Sequence, residues 1–174
     1  GPMTAPHVVG VDLSLTGTGI ATANGELTVR TNAADPIEMR LQVIRNAVLH
    51  RCAVVPPVDL VVIEDFVTRS PAASTLGMVH GVVRVALVEA AVPFVLVPPA
   101  TLKKYISGHG AAKKDDMRMA VYKRFGFDIA DDNMADAFGL RAMALDALGH
   151  PLAVMPAAQR DSLEKITWPA AVTP

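Results

Sequence analysis

Two apolar, β-rich runs in this chain each end on a carboxylate, and that placement limits how the chain can fold. His7-Val8-Val9-Gly10-Val11-Asp12 closes on Asp12, and Asp59-Leu60-Val61-Val62-Ile63-Glu64 closes on Glu64. Two more carboxylates, Asp132 and Asp136, lie near the start of a late apolar helix, Asp131-Asp132-Asn133-Met134-Ala135-Asp136-Ala137-Phe138-Gly139-Leu140. A carboxylate buried alone is costly. Several brought together become tolerable when they share a cation, and Mg2+ and Mn2+ prefer such hard oxygen ligands. Asp131 and Asp132 are good helix N-caps, and capping accounts for at least one of them. Asp136, inside an apolar helical stripe, is not explained that way.

The segments between these carboxylates imply an α/β fold. Residues 7–13, 18–23 and 26–31 read as three short strands. Asn24-Gly25 between the last two is a hairpin signal, since both residues tolerate positive φ. Asp35-Pro36 opens a helix, with Asp as N-cap and Pro in the first turn. Met39, Val43, Ala47 and Val48 are expected on one side of it, and Pro56-Pro57 stops it. Residues 58–64 form a near-continuously apolar strand of the kind buried on both faces of a sheet.

Pro71-Ala72-Ala73-Ser74 begins the next helix, in which Ala73, Gly77 and Gly81 permit close packing. A fifth strand over 93–97 ends at Pro98-Pro99, and 103–114 reads as a loop between helical pieces. Helices at 115–124 and 133–148 follow, the last ended by Gly149 and Pro151. Met117 is expected at the surface and Met119 in the core. Three antiparallel strands followed by alternating helices and strands predict a five-stranded mixed sheet flanked by helices. The domain spans residues 3–150, and the Ala- and Pro-rich residues 151–174 read as an extended or mobile tail.

Composition narrows the class. A chain of 174 residues suits one domain with a full core. A hydrophobic fraction of 51% with mean hydropathy of +0.34 excludes a largely disordered protein. No apolar stretch reaches the roughly 18 residues of a membrane span without a charge or a proline. Gly1-Pro2 reads as a protease-cleavage scar before a native start at Met3, and no signal peptide is visible. The single Cys52 excludes an internal disulfide and a Cys-based zinc site, fits a reducing cytoplasm, and is expected to pack in a helix.

The net charge of −1 hides an uneven distribution. Residues 99–125 hold Lys103, Lys104, Lys113, Lys114, Arg118, Lys123 and Arg124 against Asp115 and Asp116, a local surplus of five positive charges. Such a surplus suits a phosphate backbone. A solvated helix face is the ordinary reading for any one of these lysines. His7, His50, His80 and His150 show no metal-ligand spacing, and His109 reads as a surface residue in a Gly-rich loop.

The strand order, with Asp12 on the first strand and Glu64 on the fourth, resembles the ribonuclease H-like fold. Within it, the chain resembles the RuvC group of Holliday junction resolvases. The matching segments are Gly10-Val11-Asp12-Leu13-Ser14-Leu15-Thr16-Gly17-Thr18-Gly19, Val62-Ile63-Glu64-Asp65-Phe66 and Pro98-Pro99-Ala100-Thr101-Leu102-Lys103-Lys104. Gly108-His109-Gly110-Ala111-Ala112-Lys113-Lys114-Asp115 and Ala135-Asp136-Ala137 follow in family order. The short chain and reduced motifs suggest a bacteriophage version, acting in the host cytoplasm.

The resemblance implies a structure-selective DNA endonuclease for four-way junctions and other branched DNA. It implies hydrolysis by in-line attack of water, with two Mg2+ ions roughly 3.5–4 Å apart on the attacking and leaving oxygens and Mn2+ able to substitute. Asp12 would bridge the ions, flanked by Glu64, Asp132 and Asp136. The family carries its fourth ligand one helical turn before the last Asp. Here Asn133 stands three residues before Asp136 and Asp132 four before, both spacings on one helix face. Either could serve, and the charge on Asp132 favours it. Lys113 is counted with the catalytic residues, and Lys104 with Lys113 or Lys114 is expected near the scissile phosphate. Lys103 and Arg118 join the DNA surface, Arg69 helps position the cut strand, and Phe66 is a wedge near the junction.

Paired cuts need two active sites, so a homodimer is expected, with the small-residue helix 72–91 as a candidate interface. Two other functions fit parts of the chain. The segment from Gly10 to Gly19 also resembles the first phosphate loop of actin-like and Hsp70-like ATPases, but a chain of 174 residues has no room for their two-lobed body. A non-catalytic branched-DNA-binding module would retain the fold without activity; three intact carboxylates argue against it.

Overall fold

The first strand is buried from Val8 to Val11 because helices cover both of its faces. The computed structural model describes residues 4–54 and 57–169. Gly1-Pro2, Met3, Pro56 and the last five residues of the expected tail lie outside the described residues.

Five strands form one mixed sheet: β1 (Val8–Asp12), β2 (Gly17–Thr22), β3 (Gly25–Arg30), β4 (Leu60–Glu64) and β5 (Phe94–Val97). Their order across the sheet is β3-β2-β1-β4-β5. β1 to β3 pair antiparallel, whereas β1, β4 and β5 run parallel. The hairpin falls one residue earlier than expected. Thr22 pairs with Gly25 across Ala23-Asn24, and Gly25 takes the positive φ of 122°.

Helices α1 (Ile37–Ala53) and α2 (Ala73–Glu89) cover one face of the sheet. The other face carries α3 (Pro99–Ser107), α4 (Lys114–Phe125) and α5 (Asp132–Ala147). Strand alternation divides the core between them. Val9, Val11, Val61 and Ile63 pack toward α1 and α2, and Val8, Leu60 and Val62 toward α5. Asp12 and Glu64 have the parity of the second set. Both therefore belong to the α5 face.

Several local expectations are corrected. α1 begins after Pro36 rather than on an Asp35 cap, and it buries Leu41, Ile44, Val48 and Cys52. That is the stricter helical stripe, and Met39 and Val43 are exposed. On α2, Gly77 and Gly81 meet nothing within 4 Å where a Cβ would stand, so they open the surface rather than tighten a contact. Lys103 and Lys104 lie on α3, because Pro98 and Pro99 start a helix as well as ending β5. Met117 is buried and Met119 exposed, the reverse of the expectation, because Met117 and Val121 form the inner face of α4.

Through its described residues, the C-terminal segment is not simply extended. A single-turn helix α6 (Ala157–Arg160) runs into a 3-10 helix at Asp161–Lys165. Met155 and Leu163 are buried in the core beside Tyr105 and Ile106, and Trp168 Nε1 donates to the Leu163 carbonyl at 3.0 Å. Composition alone does not reveal these few apolar anchors. Among the described residues, no helix is long and apolar enough to cross a membrane.

Candidate active site

The parallel register sets Val11 beside Ile63, so the next residues, Asp12 and Glu64, end adjacent strands at the same edge of the sheet. That edge, at the carboxyl ends of parallel strands, is where open α/β sheets bind ligands. The third carboxylate comes from α5, which lies directly on β1 and β2. Two glycines allow that approach. A Cβ at Gly10 would collide with the Ala137 carbonyl oxygen and lie 2.9 Å from the Arg141 nitrogen. A Cβ at Gly19 would collide with the Asn133 carbonyl oxygen. With α5 so close, Asp136 reaches Asp12 and Glu64. Each of the three offers a carboxylate oxygen, and these oxygens all lie within 4.8 Å of one another.

Such a cluster resists ionisation in the absence of a counter-charge. Burial first, then the charges of Glu64 and Asp136, hold the Asp12 carboxyl well above the ordinary range. Burial and Asp136 push Glu64 up to about 8, against the pull of Lys103. Burial raises Asp136 to about 6, with Lys103 and Lys114 opposing and Asp132 adding to the rise. Asp12 and Asp136 also share a side-chain hydrogen bond. Three acceptor-rich carboxylates that repel one another are suited to a divalent cation.

The remaining expected site residues surround this cluster unequally. Asp131 is the N-cap of α5, accepting from the Asn133 N–H at 2.7 Å, and its partner is Arg30 at 2.9 Å. Asp132 lies outside the three-carboxylate group. Its Oδ1 is buried without a hydrogen bond, 3.9 Å from Arg118 Nε. The Asn133 side-chain amide lies over the start of β2, 3.1 Å from where a Gly17 Cβ would stand. Among the lysines, Lys103 and Lys114 have charges that bear on the carboxylates. Lys104 lies on α3, and Lys113, exposed, caps α4 through its N–H to Asp116 at 3.0 Å. Arg69 is exposed after β4, and Arg118 Nε donates to the Ile129 carbonyl at 3.0 Å. Phe66 packs on His80 in a tilted arrangement, ring centroids 4.7 Å apart and planes at 52°.

The segment after β1 is closed on itself. Ser14 Oγ takes the Gly17 N–H, and Thr18 Oγ1 takes the Ser14 N–H, at 2.9 and 3.2 Å. Those donors are therefore not presented to a phosphate, and the loop serves to turn the chain into β2.

A sequence profile of the family described as crossover junction endodeoxyribonuclease RuvC matches residues 8–145. The chain belongs to the RuvC family. The RuvC of Rhodopirellula baltica is 28% identical over 169 residues, 89% of this chain and 92% of that protein. The RuvC of Myxococcus xanthus is 30% identical over 135 residues, 77% of this chain and 71% of that protein. Among solved structures, T. thermophilus RuvC in complex with a Holliday junction substrate superposes with a TM-score of 0.67 at 27% identity. That match covers 78% of this chain and 90% of the other. The expected ribonuclease H-like sheet and RuvC resemblance are thus borne out. The RuvC family is divalent-metal dependent, in keeping with the acidic triad here.

Sequence reasoning missed two features of this RuvC-family fold. One is the pair of glycines that admit α5; both stand in the segment from Gly10 to Gly19, where the carboxylate is the more legible residue. The other is Asp146, a second acidic residue buried in the apolar length of α5. Its signal was the same as that of Asp136.

Proposed function

We propose that this protein is a divalent-metal-dependent endonuclease that resolves four-way DNA junctions, and acts on other branched DNA, by phosphodiester hydrolysis. The observation that carries this reading is the convergence of Asp12, Glu64 and Asp136 from two strand ends and a helix. Mg2+ is the cation proposed, with Mn2+ as substitute, because both take carboxylate oxygens. When bound, it neutralises charge on the attacking and leaving oxygens of the phosphodiester. Asp12, Glu64 and Asp136 hold it, and Asp132 supplies a further carboxylate on the Asp136 side.

The basic residues of α3 and α4 meet the DNA. Lys103 and Lys114 stand in the field of the carboxylates and draw the scissile phosphate to them. Lys104, Lys113, Arg69 and Arg118 extend the cationic surface along the backbone. Paired cuts on opposite strands call for two copies of the site. The outer face of α2, with Met78, Val85 and Val88 exposed, is the surface proposed for the second copy. Cys52 is a buried free thiol, as suits a reducing cytoplasm.

A labelled four-way junction incubated with Mg2+ or Mn2+ tests the reading. Symmetric paired nicks are expected. Binding without nicking would make the protein a branched-DNA-binding module, and ATP turnover would restore the phosphate-loop reading.

A further inference from the structure

Lys103 stands two residues before Tyr105, and Tyr105 is tied to the far end of α5. Its hydroxyl donates to Asp146 Oδ2 at 2.8 Å. Burial first, and then Asp146, hold that hydroxyl above its ordinary range, so it stays the donor. Asp146 is 4% exposed and sits in the last turn of α5, the helix that carries Asp136 near its other end. A lone carboxylate there would be costly. The C-terminal segment supplies its counter-charge. Arg160 Nη2 meets Asp146 Oδ1 at 3.0 Å, and Arg160 Nε reaches both carboxylate oxygens at 3.2 and 3.3 Å. This is a forked arginine–carboxylate pair, which fixes direction as well as distance.

The neighbouring residue makes a second tie. Gln159 Nε2 donates to the carbonyls of Tyr105 and Ile106 at 2.8 and 3.1 Å. Carbonyls in the last turn of a helix have no partner within it. Residues 159 and 160 therefore grip α3 twice, once through its backbone and once through Tyr105 and Asp146. Met155 and Leu163, on either side, are buried in the same core cluster as Leu102, Tyr105 and Ile106.

We infer that the C-terminal segment is a clasp, and that Gln159, Arg160, Asp146 and Tyr105 are positioning residues that set α3, and with it Lys103, against the carboxylate cluster. The inference rests on the cleavage activity proposed above. It gives the segment after residue 150 a part in the reaction, although none of its described residues belongs to the Asp12, Glu64 and Asp136 group. Loosening the clasp frees α3 to shift, and misplacement on the order of 1 Å far from the chemistry can lower a rate by up to about a hundredfold.

Single-turnover nicking of a labelled four-way junction at saturating Mg2+ tests this, well below each variant's melting temperature. Arg160→Ala and Gln159→Ala should each lower the nicking rate about tenfold, with the junction Kd little changed. Arg160→Lys should recover part of the rate. Lys103→Ala should also slow nicking, and adding Arg160→Ala to it should slow it little further. Full-rate nicking by folded Arg160→Ala and Gln159→Ala would overturn the clasp, and so would full independent losses in the double variant. If Arg160→Ala does not fold, Gln159→Ala, alone and combined with Lys103→Ala, decides in the same way. If the unsubstituted protein binds the junction but never nicks it, the proposed activity fails instead of the clasp.

Discussion

The carbonyl oxygen of Ala137 occupies the place that a side chain at Gly10 would need. Gly10→Ala must therefore push α5 off β1, because the obstacle is helix backbone and not a flexible side chain. Asp136 moves with the helix. The expected result is a loss of about 1–3 kcal/mol in stability and a sharp fall in nicking. Gly81→Ala, where nothing lies within 4 Å, is the control and should leave the melting temperature unchanged or raised. Thermal melts and nicking assays on both variants check the pair.

Asp12→Asn should separate binding from cleavage. The amide keeps the shape and can donate to Asp136, but it removes one charge from the cluster. Nicking should fall by about two to three orders of magnitude, while junction binding, which we assign to α3 and α4, should persist. Melting in EDTA should not fall, since a mutually repelling carboxylate has been removed. Loss of junction binding would show that Asp12 supports the DNA surface rather than the reaction.

The cation-free protein should lose stability as pH rises. Glu64 is raised from 4.5 to about 8 and Asp136 from 3.8 to about 6. A carboxyl whose folded pKa lies above its unfolded value contributes stability that is full below the unfolded pKa. That contribution is lost as pH climbs through the folded pKa, here through 6 and then 8. Melts in EDTA should thus decline from about pH 5 to about pH 8. Mg2+ should offset the decline, and increasingly so at the alkaline end, because binding releases protons. A cation-free melting temperature that rises over this range would contradict the clustering.

Asp132 and Asn133 differ in what their loss should change. Asp132→Ala removes a carboxylate whose charge reaches Asp136, and it should raise the Mg2+ concentration needed for half-maximal nicking. Asn133→Ala removes an amide that lies over the start of β2, and it should alter the metal requirement little. A metal titration of both variants distinguishes them. Dominance of Asn133 would assign the fourth ligand to the spacing of three residues instead.

Lys113→Ala combined with Lys114→Ala should weaken junction binding and flatten its salt dependence. Each phosphate that is no longer neutralised should reduce the log–log slope by about 0.9. Nicking should suffer mainly from the change at position 114, whose charge acts on Asp12 and Asp136. Equal slopes for variant and parent would place both lysines away from DNA.

Much of this arrangement is readable in the chain itself. Apolar runs with strand periodicity locate β1 and β4, and the carboxylates closing them mark the sheet edge where the site lies. The Asp131 cap and the apolar stripe locate α5. Other features depend on tertiary contacts that a linear pattern does not carry. The turn at Gly108-His109-Gly110 obscures the fact that Lys103 and Lys104 belong to a helix begun by two prolines. On α1, several apolar residues offer competing faces, and the sheet selects Leu41, Ile44 and Val48. The C-terminal segment looks extended because Ala and Pro dominate it, whereas Arg160, Gln159 and Leu163 are what hold it.

The order in which the site's parts occur along the chain has a consequence for biogenesis. Asp12 and Glu64 leave the ribosome before their partner Asp136, which lies on α5, and the segment gripping α3 comes later still. A nascent chain that has reached only α4 holds two strand-end carboxylates with no Asp136 to complete the set. A polypeptide truncated before α5 therefore lacks the complete carboxylate set, which forms only once α5 has been made.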